Sequence, residues 1–162
     1  MLSDDTETVG ASVPDDGSAE PVQSTAAAAA GLAGKELLFP LGLLGFPDCR
    51  RYRLARFRDG DGADSPFFML NALDHDLSFP LIAPESVGLD YRPAVGRDAL
   101  AALGARSARD LVALLIVTVR DRLEEITVNL QGPLVVHPAT ARGLQLVAED
   151  YPLRHPLIAG VR

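Results

Sequence analysis

From residue 36 onward, apolar and polar positions alternate in short runs broken by proline, glycine and aspartate, the pattern of strands joined by tight connections. YRLARF (52 to 57) sets Tyr52, Leu54 and, less regularly spaced, Phe57 against an arginine face, as a half-exposed strand would. FFMLNAL (67 to 73) and LSFPLI (77 to 82) are aromatic-rich runs separated by Asp74-His75-Asp76, a tight connection. ELLFPLGLLGF (36 to 46) carries Pro40, Gly42 and Gly45 and reads as an edge strand running into a turn. DLVALLIVTV (110 to 119) has the uninterrupted apolar character of a buried strand, with EITVNL (125 to 130) its hairpin partner across Asp121-Arg122 and PLVVH (133 to 137) next. Ile126, Val128 and Leu130 form one row of that partner, with Thr127 and Asn129 on the other face. Pro133, which cannot donate to a ladder, lets the chain turn after Gln131-Gly132. A helix is predicted over 97 to 103, with Asp98 in its first turn and Gly104 as C-cap, while ATARGLQLVAED (139 to 150) fits strand or short helix equally. Short, closely spaced strands predict a mainly β fold: a small antiparallel β-barrel with one or two short helices.

Charge divides the chain. Residues 1 to 34 hold six acids (Asp4, Asp5, Glu7, Asp15, Asp16, Glu20) and no base, in a setting of Ala, Ser, Asp and Pro. Such a segment cannot bury enough apolar surface to offset its ordering entropy, so a disordered acidic leader is expected over 1 to 34 and a single domain over 35 to 162. The net charge of −7 falls almost wholly on that leader, since 16 acids face 15 bases in the remainder. Acids stand where a signal peptide would need a basic start, and no stretch approaches the roughly 20 apolar residues of a membrane span. A cytoplasmic protein, monomeric when free and without a membrane partner, is expected. The lone Cys49 permits no internal disulfide and has no His or Cys beside it to mark a metal or nucleophile role.

Within the folded part, RRYRLARFR (50 to 58) holds five arginines and no acid, whereas 59 to 91 holds seven acids (Asp59, Asp61, Asp64, Asp74, Asp76, Glu85, Asp90) and no base. Acidic loops beside a charged strand face would produce the same alternation. A like-signed block also gives a surface suited to a basic partner, because it steers encounter and repels competitors of its own sign. Five arginines beside seven acids make a poor phosphate binder, so direct nucleic-acid binding is not expected. The histidines His75, His137 and His155 form no H-x-x-x-H motif, and no C-x-x-C, G-x-S-x-G or phosphate-cradling glycine loop is present. No catalytic, cofactor or metal residues are assigned, and an enzyme is not expected.

The order of segments nevertheless carries a signature. LLFPLGLLGFPDCRRYRL, SPFFMLNALDHDLSFPLIAP followed by LDY, LLIVTV, ITVNLQGPLVVHPATARGLQL and YPLRHPL, collinear over roughly 37 to 157, resemble the flagellar assembly factor FliW family. Asn129 and Pro133 match its T-x-N-L-x-x-P segment, Gln145 the glutamine that follows, and Arg154 and His155 its closing Y-x-x-R-H. The resemblance implies a small antiparallel barrel that is not an enzyme and takes no cofactor. It implies binding to CsrA, a small basic RNA-binding dimer that represses flagellin mRNA translation, with allosteric antagonism, and binding to flagellin itself. Flagellin level would thereby be coupled to flagellin translation. Taken with the charge pattern, it places the partner surface at Asp74, Asp76, Glu85 and Asp90, with Phe79 and Tyr91 as apolar neighbours. Arg154 and His155 would lock the last segment to the barrel or line the partner surface. The chain departs from the family pattern at His137 (commonly Asn), Met69 (Trp or Leu) and Gly132 (Ala), and in its acidic leader. Two alternatives stay open: a flagellin-only chaperone, and a small barrel binding a metal or small ligand through Asp74, His75, His137 and His155.

Overall fold

The computed structural model describes residues 20–22, 25–58, 64–88 and 90–157. In chain order these form β1 (Glu20–Pro21), α1 (Ala26–Ala30), β2 (Glu36–Leu38), β3 (Arg51–Arg58), β4 (Asp64–Ala72) and β5 (Ser78–Ile82), then β6 (Ala94–Val95), α2 (Arg97–Leu103), β7 (Val112–Thr118), β8 (Thr127–Val128), β9 (Leu134–His137), β10 (Arg142–Gln145) and β11 (His155–Pro156). Seven strands close a ring in the order β7-β5-β4-β3-β2-β10-β9 and back to β7. All neighbours in the ring are antiparallel except β2 and β10, which meet in parallel at Leu38 and Arg142. A barrel leaves no open ladder around its circumference, which removes the aggregation hazard of a free edge.

Strand β7 explains its own apolar run. Its first half pairs with β9 and its last two residues with β8, while Leu115 and Ile116 meet β5 on the other side. Val112 and Leu114 face the barrel interior, Ala113 faces a cluster under α2, and Leu115 and Val117 face a third cluster with Val128 and Leu130. Buried on both faces, the strand has almost no position left for a polar residue. Pro80 interrupts neither neighbour, because β5 meets β7 only through Leu81 and Ile82.

Three expectations change, and one open choice is settled. Glu36–Leu38 is not an edge strand: Leu37 pairs with Tyr52 on one side, and Leu38 meets β10 on the other. Pro40 lies beyond the strand, in the turn, and costs the ladder nothing. Along β3 the strict alternation carries Tyr52, Leu54 and Arg56 to one side, where Arg56 lies over the Phe68 ring at 5.4 Å, and leaves Phe57 48% exposed. Residues 142 to 145 are strand, not helix. Gly143 suits that strand because a side chain there would press into the Phe39 ring, 2.6 Å from an added Cβ. The folded part also begins before residue 35. Thr25 and Glu85 cap the alanine helix α1, Ala29 and Leu32 are buried against the barrel interior, and Val22 is buried beside α2. Alanines carry too little apolar area to draw attention in a sequence, yet their small size lets a helix backbone approach a barrel closely. Residues 1–19 and 23–24 of the expected leader lie outside the described residues, as do 59–63 with Asp59 and Asp61.

Candidate functional site

The two ends of the barrel are built differently, and the acidic stretch is divided between them. At one end, α1, the 3-10 turn Pro84–Val87, β6 and α2 cover the ring. Here Glu85 Oε1 accepts the Ala26 N–H at 2.7 Å, holding the first turn of α1 from a distant part of the chain. Asp90 pairs with Arg92 at 3.0 Å. Tyr91, farther along the chain, is on the barrel flank and is not a surface residue: its ring packs at 4.6 Å on Tyr151 and its hydroxyl donates to the Leu130 carbonyl. Burial, and then the Tyr151 neighbour, push that hydroxyl well above the ordinary phenol range. His137 is buried under α2, where Nδ1 lies 3.2 Å from the Leu103 carbonyl, which also accepts from Thr140 Oγ1 at 2.9 Å. The carbonyl would otherwise be an orphan at the helix C-terminus, so both side chains serve as caps.

The opposite end is formed by the β2–β3 loop, the β4–β5 hairpin turn and the β8–β9 turn. Asp74 and Asp76 are exposed on the hairpin turn. Asp74 Oδ1 lies 3.4 Å from Arg51, which also meets Glu36 at 3.2 Å, whereas Asp76 has no ion-pair partner among the described residues. Phe79 is half-buried between Phe46 and Tyr52, with ring centroids 5.4 and 6.3 Å away. The Tyr52 hydroxyl is inside the barrel without a satisfactory hydrogen bond; the Cys49 thiol beside it is a weak partner, and burial raises the phenol strongly. Cys49 itself is buried.

Asn129, Gly132 and Gln145 form a relay that sets the shape of this end. Asn129 Oδ1 accepts the N–H groups of Gln131 at 2.9 Å and Gly132 at 2.8 Å, closing the turn that Pro133 begins to leave. Gln145 then donates Nε2 to the Gly132 carbonyl at 3.0 Å and accepts the Leu44 N–H on Oε1 at 2.7 Å. A carboxamide offers one donor and one acceptor at the same reach, which is what clamping a carbonyl on one loop to an N–H on another requires.

The loop so clamped holds the residues that sequence patterning passed over. Leu41 is 75% exposed and Leu44 61%, with Phe46 and Val147 also exposed. Glycines at 42 and 45 take left-handed φ values of +68° and +89°, and a side chain on Gly42 would collide with the Phe46 carbonyl. Leu43 and Phe46 bond each other's backbone in both directions, and Gly42 N–H reaches the Phe39 carbonyl at 2.8 Å. In the sequence Pro40 and the two glycines mark a turn here, but nothing marks its leucines as exposed.

The site residues therefore separate. Asp74, Asp76 and Phe79 lie at the open end; Glu85 follows β5 at the covered end, roughly 14 Å of strand away at 3.4 Å per residue, and Tyr91 lies on the barrel flank in the cluster with Leu115, Val117 and Leu130. Asn129 and Gln145 hold the turns beside the first group, and Pro133 follows the turn that Asn129 closes. At the C-terminus, locking falls to backbone: His155 pairs with Val128, Leu157 N–H bonds the Ile126 carbonyl, and Leu130 N–H bonds that of Pro152. The Arg154 side chain is exposed. His75, on the hairpin turn, is far in the fold from His137 under α2, and no cluster of three or more His, Cys, Asp or Glu that could hold a metal occurs among the described residues. Among them, no helix is long and apolar enough to cross a membrane.

Comparison with known proteins places this architecture. The family model described as FliW protein matches residues 23–157. The flagellar assembly factor FliW of Natranaerobius thermophilus is 36% identical over 127 residues, covering 76% of this chain and 82% of that protein. That of Lachnoclostridium phytofermentans is 35% identical over 118 residues, covering 72% and 74%. A crystal structure of the flagellar assembly factor FliW superposes with a TM-score of 0.67 at 26% identity, covering 75% of this chain and 84% of the other.

Proposed function

The chain belongs to the FliW family and is a flagellar assembly factor, and from that premise we propose that it acts by binding CsrA and flagellin. Free flagellin occupies it; when flagellin is exported, the released protein sequesters CsrA in the cytoplasm and flagellin translation resumes. It works by binding rather than by catalysis, without cofactor, metal or nucleic acid. The observation that supports this best is the exposed hairpin carrying Asp74 and Asp76, within a stretch, 59 to 91, that holds seven acids and no base. CsrA is basic because it binds RNA, so exposed carboxylates draw it in by the same charge that repels mRNA phosphate. Contact away from the RNA surface, with carboxylates alongside, makes the antagonism allosteric rather than competitive.

Calorimetric titration with CsrA and with flagellin from the same organism tests it. Wild-type protein is expected to bind each, and the Asp74→Lys/Asp76→Lys double variant to bind CsrA roughly tenfold or more weakly at low salt with its melting transition in place. Unchanged affinity removes these carboxylates from the site. Binding of flagellin but not of CsrA by the wild type leaves a flagellin-only chaperone.

A further inference from the structure

We propose that the β2–β3 loop is the anchoring site of the open end, and that it receives an aliphatic side chain from a partner segment flanked by lysine or arginine. The proposal rests on the assignment above, that a basic protein meets this end, and adds where that protein is gripped. Leucines as exposed as Leu41 and Leu44 cost solubility and are singly unremarkable. Here, however, they stand together on a loop whose conformation is fixed from four sides. The Gln145 amide holds the Leu44 N–H, the Phe39 carbonyl holds Gly42, Leu43 and Phe46 hold each other, and the Phe46 ring rests edge-on against Phe79. A loop with no task could turn these leucines inward; this one is built so that it cannot.

Between them runs a groove of about 230 Å³, lined chiefly by Leu41, Leu43, Leu44, Pro47, Leu144 and the stem of Gln145. That is smaller than the 300–1,000 Å³ typical of cofactor and small-molecule sites, and the walls supply almost no polar group to orient a ligand. It is suited to a side chain delivered by a protein, the aliphatic knob that anchors an interface. The rim supplies the sign of the partner. Asp48 and Asp76, and Glu149 and Asp150 in the turn that follows Val147, are exposed carboxylates with no ion-pair partner among the described residues. Of the nearby cations, Arg51 and Arg53 are engaged by Glu36 and Asp74, and Arg50 turns its Nε back to the Pro47 carbonyl. An apolar centre within a rim of uncommitted carboxylates is complementary to an apolar side chain between basic ones.

The test uses the full chain, its Leu41→Ser/Leu44→Ser variant, and two fluorescent helical peptides of matched length, one of alternating leucine and lysine faces and one with glutamate for lysine. The lysine peptide is expected to bind wild type, the glutamate peptide not, and the variant to bind the lysine peptide at least roughly tenfold more weakly with an unchanged circular-dichroism melt. Equal binding of both peptides, no binding of either, or binding indifferent to the variant overturns the proposal. Concentration-dependent self-association of wild type that the variant abolishes also overturns it, in favour of a second copy as occupant. The same pair titrated with CsrA separates the two claims. A wild type that binds CsrA and a variant that binds it equally well refute the loop alone. A wild type that ignores CsrA refutes the assignment above, while the peptide results still decide the loop.

Discussion

Glu85 and Asp76 belong to the same acid-only stretch of sequence, lie at opposite ends of one five-residue strand, and are both exposed, yet they do different things. Glu85 is committed within the molecule, its carboxylate closing the first turn of α1 at 2.7 Å. Asp76 projects from a hairpin turn with no partner among the described residues. The ends they occupy differ in the same way. One is covered by α1 and α2, with His137 and Thr140 spending their polar atoms on the end of α2. The other uses its polar side chains, Asn129 and Gln145, to hold two leucines outward. Like charge along a sequence is therefore not one surface. The strand that runs through the stretch separates a structural half from a half available to a partner.

If the buried residues away from the loop and hairpin are structural, their substitution should cost stability and leave partner affinity alone. Tyr91→Phe removes the hydrogen bond to the Leu130 carbonyl and is expected to cost about 1–3 kcal/mol in denaturant titration, with CsrA affinity unchanged. The same substitution should alter the alkaline limb of stability. Tyr91 ionises at a higher pH folded than unfolded, where the pKa is about 10, so its stabilisation is complete below about pH 10 and is lost as pH rises beyond it. The variant should lose less stability above that pH than wild type, the remaining slope including that of Tyr52, which is raised by burial likewise.

A smaller effect on stability is expected at the open end. Gln145→Ala unclamps Leu44 from Gly132 across a half-exposed connection, for about 1 kcal/mol, but should weaken partner binding several-fold because the loop is no longer held ready. A loss of stability without a loss of affinity would put Gln145 in the same class as Tyr91 and blur the distinction between the ends.

How much of this could be read from the chain depended on how local the cause was. Strands β3, β4, β5 and β7 were legible because period-2 alternation and aromatic or β-branched runs are properties of a few neighbouring residues. Barrel closure followed from their number and spacing, and the order of motifs identified the family. What escaped was set at long range. The edge-like Glu36–Leu38 became an interior strand because β10, a hundred residues later, pairs with it. The alanines of α1 looked like leader because their burial depends on a capping glutamate 59 residues away. Tyr91 was taken for surface because the Leu130 carbonyl and the Tyr151 ring that bury it come from separate segments. The turn after β2 was legible from Pro40, Gly42 and Gly45, but not the outward hold on Leu41 and Leu44, because an apolar residue's pattern does not reveal that a distant Gln145 bonds the loop backbone.

Hydrogen–deuterium exchange, with and without CsrA, tests the division between the ends most directly. The account predicts slowed exchange on complex formation over 40 to 48 and 73 to 77, and no change over 84 to 92. Protection of 84 to 92 with the loop and hairpin unaffected would contradict it.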